Sequence, residues 1–154
     1  MRYLASAATA AGLACSAVVA GPALAIDGTY NTGRSEVATD ESTTLDVRFH
    51  PCPHDGALVC GSIERVHNPT EPVETARLPN GEPVLGFTMI VGLEETSPGA
   101  FRGGRVNALD ETLRKGRMKW YGVKIDEMSD DAIKVRGCLS FICPRSLVWR
   151  KIEG

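Results

Sequence analysis

The stretch Thr44-Leu45-Asp46-Val47-Arg48-Phe49 alternates polar and apolar side chains residue by residue. Side chains in a β-strand point alternately to the two faces of a sheet, so this stretch is predicted to form a strand with one buried and one wet face. Similar segments recur along the chain between turn residues such as Asp55-Gly56 and Ser129-Asp130-Asp131, and no convincing helical period accompanies them. The sequence therefore predicts an all-β protein.

Eight strands are predicted in total, joined mostly by short connections. Eight such strands form either an up-and-down barrel or a sandwich, and a barrel of this size is filled by side chains or holds one small ligand. The segment Arg65–Pro83 interrupts the pattern with four prolines and is predicted to be a long crossing or a lid. The predicted strands are Asp27–Gly33, Thr44–Phe49, Ala57–Glu64, Val84–Gly92, Gly99–Val106, Gly116–Ile125, Ala132–Cys138 and Arg145–Ile152.

Residues 1–25 have the pattern of a cleavable secretory signal peptide. Arg2 is the only charged residue before Asp27, an Ala-rich apolar stretch follows it, and Ala23-Leu24-Ala25 forms a small-x-small cleavage site. The stretch lacks the Leu, Ile and Phe content of a stable membrane span. We therefore expect cleavage after Ala25 and a periplasmic or secreted domain, residues 26–154, without a membrane span.

The mature chain is expected to be mildly acidic. Removal of residues 1–25 takes away one of the 17 Lys and Arg residues and none of the 19 Asp and Glu residues, so the net charge changes from −2 to −3. Along the chain these charges are not clustered enough to predict binding of nucleic acid or of an anionic membrane surface. The remaining 129 of the 154 residues suit one domain with a single core.

Four cysteines remain after cleavage, and an even number in an exported protein predicts disulfides. Four cysteines allow three pairings. The short separations and the turn-like residues between the partners favour Cys52–Cys60 and Cys138–Cys143. Because both loops are short, each bond is expected to add roughly a few kcal/mol at most.

Candidate catalytic and metal-binding residues are few. His50-Pro51-Cys52-Pro53-His54 has the alternation of a zinc or copper site, but a disulfide at Cys52 and the two prolines favour a pinned hairpin loop. His67 has no accompanying nucleophile motif and is expected to be solvated or to cap the chain. The carboxylate pairs Glu94-Glu95 and Asp110-Glu111 adjoin turn residues and are expected to be solvated. We therefore predict no enzyme activity, no metal and no cofactor.

Aromatic residues and methionines form the remaining candidate site. They either fill the core or line a ligand cavity, and core filling is the more common role of such side chains. The set comprises Tyr30, Phe49, Phe87, Phe101, Trp120, Tyr121 and Trp149, with Met89 and Met118.

Several short motifs, in their order and spacing, resemble the bacterial family called domain of unknown function 2147. The resemblance covers essentially all of the mature chain and implies an exported, lipocalin-like (calycin-like) antiparallel up-and-down barrel. It also implies a cation–π contact at the barrel base between Tyr30, in the place of the lipocalin Trp, and Arg150. The motifs are Gly28-Thr29-Tyr30, His67-Asn68-Pro69, Arg77, Gly81 with Leu85-Gly86, Phe101-Arg102-Gly103-Gly104, Val135-Arg136-Gly137-Cys138 and Val148-Trp149-Arg150.

These observations predict an exported barrel that binds a small apolar ligand in its interior. The alternative is a structural or protein-interaction module of the cell envelope, with a filled barrel and the segment Arg65–Pro83 as its contact surface. An enzymatic interpretation would depend on His67, Arg77 and Arg136. The residues predicted to bind the ligand are Tyr30, Phe87, Met89, Phe101, Trp120, Arg77 and Arg136.

Overall fold

The structure, a computed structural model, describes residues 26–33, 43–69 and 72–153. Within them each strand pairs antiparallel with the next in the chain, and β8 pairs with β1, so the sheet closes into a barrel. The predicted eight-stranded up-and-down barrel is confirmed, whereas the predicted signal peptide lies outside the described residues. The elements are β1 (Gly28–Asn31), β2 (Thr44–Cys52), β3 (Asp55–His67), β4 (Thr88–Ser97), β5 (Ala100–Asn107), α1 (Leu109–Lys115), β6 (Trp120–Ser129), β7 (Ala132–Leu139) and β8 (Ile142–Glu153).

The sequence shows no convincing helical period, but the structure contains a short helix, α1, which connects β5 to β6. Its seven residues are too few to show a helical period, but its ends carry the usual charge signals: Asp110 and Glu111 in the first turn and Arg114 in the last. Gly116 ends it with a left-handed φ of 62°. The strand predicted from Gly116 accordingly begins only at Trp120.

The strand predicted over Val84–Gly92 also begins later, at Thr88. Gly86 has a φ of +82°, which favours glycine, and its N–H donates to the carbonyl of Ile63 at 2.8 Å. Val84 and Phe87 are nevertheless buried, at 3% and 8% exposure. These residues are apolar because they belong to a turn that packs against the barrel. They do not lie in a strand whose two faces are both buried.

The two ends of the barrel differ in the length of their connections. At one end, residues 53–54, 98–99 and 130–131 join successive strands by tight hairpins. At the other end the strands are joined through longer stretches of sequence, of which the structure describes residues 32–33, 43, 68–69, 72–87 and 108–119, and through the β7–β8 hairpin. We call these the hairpin end and the loop end. Because binding residues concentrate on loops held by a rigid scaffold, the loop end is the place to look for a site.

Glycines show where the centre of the barrel is tightly packed. A Cβ on Gly104 would lie 2.9 Å from two carbons of Leu93 and 3.0 Å from the carbonyl oxygen of Val91. A Cβ on Gly61 would lie 3.1 Å from a methyl group of Val47. By contrast, a Cβ on Gly137, two residues after the buried Val135 and on the same face of β7, would meet no atom within 4 Å. The interior is therefore filled beside Gly61 and Gly104 and has room beside Gly137.

An aromatic cluster lies around Tyr30. The rings of Tyr30 and Phe49 meet edge to face at 5.6 Å, and Trp149 lies 6.4 Å from Phe49. The cation over Tyr30 is Lys151, at 5.9 Å, and not Arg150 as the family resemblance implied. The reason is a register shift between β1 and β8 that places Lys151 opposite Tyr30. Burial, together with the nearby carboxylates of Glu127 and Asp27, raises the pKa of Tyr30.

Both disulfides favoured by the spacing are present, Cys52–Cys60 and Cys138–Cys143. The first pins the β2–β3 hairpin at the hairpin end, and the second pins the β7–β8 hairpin at the loop end. Such bonds indicate an oxidising compartment outside the cytoplasm.

Candidate functional site

The structure separates the seven residues predicted to bind a ligand. Tyr30, Met89 and Phe101 are buried in the hydrophobic core. Phe87 and Trp120 lie together at the loop end, with ring centroids 5.9 Å apart. Arg77 is exposed, and Arg136 is half-buried in an ion pair on β7. In the part of the chain that the structure describes, Phe87 and Trp120 line one cavity together.

That cavity is a cleft of about 470 Å³ at the loop end. It lies between the turn that leads into β4 and the first residue of β6, and its volume falls in the range of small-molecule sites. Two of its lining residues, Glu82 and Thr88, are polar and the other six are apolar. The apolar ones are Pro83, Leu85, Gly86, Phe87, Val91 and Trp120.

Trp120 forms one wall of the cleft and is held from two sides. Its ring is inclined by 56° to that of Phe87, which is itself nearly buried. The guanidinium carbon of Arg105 lies 5.7 Å from the Trp120 ring, a cation–π arrangement. Arg105 pairs across the sheet with Val91, another lining residue. The sequence alone does not identify Arg105, because only the strand register brings it beside Trp120.

A short chain of hydrogen bonds leads from the cleft to the outside of β2. The hydroxyl oxygens of Thr88 and Ser62 are 3.0 Å apart, and Nε2 of His50 lies 2.7 Å from the Ser62 oxygen. Glu82, which also lines the cleft, accepts a hydrogen bond from Asn80 at 2.5 Å. The cleft thus offers one hydroxyl and one carboxylate beside an apolar wall.

The two predicted arginines have other partners. Arg77 donates to the carbonyl oxygens of Ala76 and Glu74 in its own segment, at 3.1 and 3.5 Å. Arg136 pairs with Asp126, to which Arg102 also donates, at 2.5 Å. Partial burial favours a raised pKa for Asp126, but the hydrogen bonds from the two guanidinium groups outweigh it and lower that pKa. Asp126 follows the buried Ile125, so this triad lies on the opposite face of the sheet from the core.

A second polar cluster, which the sequence did not reveal, surrounds a buried carboxylate on β2. Asp46, expected on the wet face of its strand, is 1% exposed. Its oxygens accept a hydrogen bond from Asn31 at 2.7 Å and lie 2.8 Å from Nε2 of His67 and 3.4 Å from Arg65. His67 is the last residue of β3, and its ring lies within hydrogen-bonding distance of the Asp46 carboxylate. This corrects its expected role as a solvated or capping loop histidine.

Glu111 on α1 is also buried, which corrects the expectation that the Asp110-Glu111 pair is solvated. It accepts hydrogen bonds from Lys115 and from the hydroxyl of Tyr121, both at 3.0 Å, and Arg145 lies 3.9 Å away. The Lys115 and Tyr121 hydrogen bonds lower the pKa of Glu111. This cluster fastens α1 to β6 and β8.

Cys52 is bonded to Cys60, so the His50–His54 segment has no thiolate to offer a metal ion. Among the described residues, no three His, Cys, Asp or Glu side chains are grouped closely enough to hold one. In the same part of the chain, no helix has the length and hydrophobicity needed to cross a bilayer.

Comparison with known proteins places the chain in a family. Residues 31–151 match the model of DUF2147, described as an uncharacterized protein conserved in bacteria. The chain belongs to this family, which confirms the resemblance found in its motifs. No curated protein matches the chain. A solved structure described as protein HP1028 from the human pathogen Helicobacter pylori, which belongs to the lipocalin family, is similar with a TM-score of 0.61. It is 11% identical over 82% of each chain, so the similarity shows a lipocalin-like fold.

Proposed function

We propose that the protein is an exported carrier that binds one small apolar molecule in the cleft at the loop end of its barrel. The cleft beside Trp120 is the observation on which this proposal rests. The two disulfides support an exported location, which we propose to be the periplasm or the exterior after removal of residues 1–25.

The lining defines the class of ligand. The indole of Trp120, the ring of Phe87 and the side chains of Leu85 and Val91 offer a surface suited to an aromatic or alicyclic body. Thr88 is positioned to orient a ligand hydroxyl or carbonyl. We therefore propose a compact, largely apolar ligand with one polar group, and no covalent chemistry.

The proposed site is displaced from the barrel centre, where the sequence analysis had placed it. Leu93 occupies the space in front of Gly104, and Phe101 is fully buried in the core. Phe101 and Tyr30 are therefore assigned to core packing, and Phe87 and Trp120 to binding.

The binding experiment uses N-phenyl-1-naphthylamine, an uncharged apolar dye that fluoresces when it leaves water. We expect saturable binding with one dye per protein. Trp120→Ala removes a wall of the cleft and is expected to weaken binding about tenfold or more, which corresponds to about 1.4 kcal/mol. Trp120→Phe retains a ring and is expected to show a smaller loss.

Phe141→Ala is the matched control, because Phe141 is an aromatic residue that is 84% exposed and does not line the cleft. It is expected to bind the dye like the wild type. Equal affinity in Trp120→Ala and the wild type, or a loss in Phe141→Ala alone, would refute the proposed site.

The tightly packed centre favours a second candidate function, a structural or interaction module of the cell envelope without a ligand. In that case the segment 72–87, which crosses the loop end, is the proposed contact surface. In-cell cross-linking from a photoreactive group at Pro79, an exposed residue of this segment, tests it. A discrete cross-linked partner supports this function, and the absence of cross-links there argues against it.

A further inference from the structure

The β7–β8 hairpin ends in an apolar tip that projects into solvent at the loop end. Its residues Leu139, Phe141 and Ile142 are 58%, 84% and 60% exposed. Large apolar side chains usually avoid such exposure in clusters, and a cluster of this kind marks an interaction site. Together these three residues are called the apolar tip.

The apolar tip is held in one shape. The Cys138–Cys143 disulfide joins the two strands directly behind it, and Leu139 pairs with Ile142 across the turn. Presentation of the three side chains therefore costs little conformational entropy on binding, unlike a loop that must first become ordered.

Several cations lie at the same end of the barrel as the apolar tip, although the chain as a whole has a net charge of −2. Residues 112–125 and 132–152 contain ten of the 17 Lys and Arg residues and no Asp or Glu, although Lys134, Arg150 and Lys151 among them lie towards the hairpin end. Four of these cations, residues 114, 115, 117 and 119, lie in the α1–β6 connection at the loop end. The contact between Glu111 and Arg145 holds α1 next to the start of β8.

The two acidic residues of α1 offset only part of the charge of the five cations at residues 114, 115, 117, 119 and 145. Glu111 is already bonded to Lys115 and Tyr121, and Asp110 is the other acidic residue of α1. The carboxylates of β6 and its turn, Asp126 to Asp131, lie towards the hairpin end. The sequence contains this run of cations, but only the fold places it at the same end of the barrel as the apolar tip, which is why the sequence did not predict an anionic partner.

We propose that the apolar tip inserts into the surface of a bilayer that contains anionic lipid, with Arg114, Arg117 and Arg145 contacting the headgroups. Three protruding side chains bury at most a few hundred Å², well below the roughly 800 Å² per partner of a stable protein interface. Membrane surfaces, by contrast, are bound by a few apolar side chains combined with basic residues. This inference does not depend on the cleft.

Vesicle flotation with the full-length mature protein tests the proposal. We expect binding to vesicles of phosphatidylglycerol and phosphatidylethanolamine, weakening as salt is added, and little binding to vesicles of phosphatidylcholine alone. Phe141→Ser combined with Ile142→Ser is expected to lower the affinity about tenfold or more, because both side chains lose their burial in the interface. Arg114→Gln combined with Arg117→Gln is expected to lower it about fivefold per cation.

Matched controls lie away from the apolar tip. Met128→Ser removes an apolar side chain that is 57% exposed near the hairpin end. Arg48→Gln combined with Lys134→Gln removes two exposed cations elsewhere on the barrel. Both controls are expected to bind vesicles like the wild type, as is Trp120→Ala, which separates this proposal from that of the cleft.

A second measurement guards against misfolding of the tip variants. Phe141→Trp places a fluorophore at the apolar tip, and brominated phospholipids are expected to quench its added emission. Wild-type binding by the Phe141/Ile142 variant, binding indifferent to anionic lipid, or unquenched tip emission would overturn the proposal. The proposal would also be overturned if the wild-type protein formed a dimer that binds no vesicles and the Phe141/Ile142 variant were a monomer. The apolar tip would then join two copies of the chain.

Discussion

Replacing Gly104 by alanine tests how tightly the barrel centre is packed. The new Cβ would lie 2.9 Å from Cγ and Cδ2 of Leu93 and 3.0 Å from the Val91 carbonyl oxygen. Leu93 is fully buried and the carbonyl belongs to β4, so neither group has free space to yield into. Overpacking of this kind costs about 1–3 kcal/mol. We therefore expect Gly104→Ala to lower the free energy of unfolding by about 1–3 kcal/mol.

Gly137→Ala is the matched control, since Gly137 is also a strand glycine without a positive φ and its Cβ would meet nothing within 4 Å. Alanine there restricts the unfolded chain and is expected to leave stability unchanged or to raise it by up to about 1 kcal/mol. Urea unfolding of the disulfide-intact proteins, followed by fluorescence and circular dichroism, gives both values. If Gly104→Ala is as stable as Gly137→Ala, the centre is not packed as described.

Three further predictions concern the pinned and polar parts of the fold. Replacing Cys52 and Cys60 together by serine is expected to cost about 2–3 kcal/mol in urea unfolding, because the bond closes a loop of few residues; no change under oxidising conditions would contradict this. Asp46→Ala is expected to cost about 1–3 kcal/mol and His67→Ala less, since Asp46 is buried with several donors whereas His67 is partly solvated; the reverse order would count against the cluster. Asp126 has a lowered pKa in the folded protein despite its partial burial. Its contribution to the free energy of unfolding is therefore complete above the ordinary carboxyl pKa of about 4, and it is lost as the pH falls through the lower pKa of the folded state. Asp126→Asn is therefore expected to flatten the acid decline of the unfolding free energy, and an unaltered decline would refute this assignment.

Local patterns in the sequence sufficed for the strands and the disulfides, whereas the choice of a barrel over a sandwich came from the family resemblance. The alternation in residues 44–49 and its counterparts marks strands whatever their partners, and the cysteine pairs are close along the chain. The helix α1 escaped notice because it is shorter than the window in which a helical period becomes visible. Its acidic start, basic end and Gly116 cap were the available signals.

The site depends on strand register, which no single stretch of the sequence determines. Arg105 reaches Trp120 because β5 lies between β4 and β6. Asp46 is buried although it alternates with apolar residues as an outward residue would, and its partners Asn31 and His67 come from neighbouring strands. Aromatic composition left core filling and cavity lining both open, because the sequence does not show what the fold places around Phe101 and around Trp120.

Native mass spectrometry of the mature protein, taken from the exported compartment without detergent, tests the carrier proposal most directly. We expect part of the wild-type protein to exceed the mass of its polypeptide by that of one small molecule, and this extra mass to be lost in Trp120→Ala and kept in Phe141→Ala. A wild-type protein that never carries extra mass, or extra mass that Trp120→Ala retains in full, would contradict a binding cleft beside Trp120.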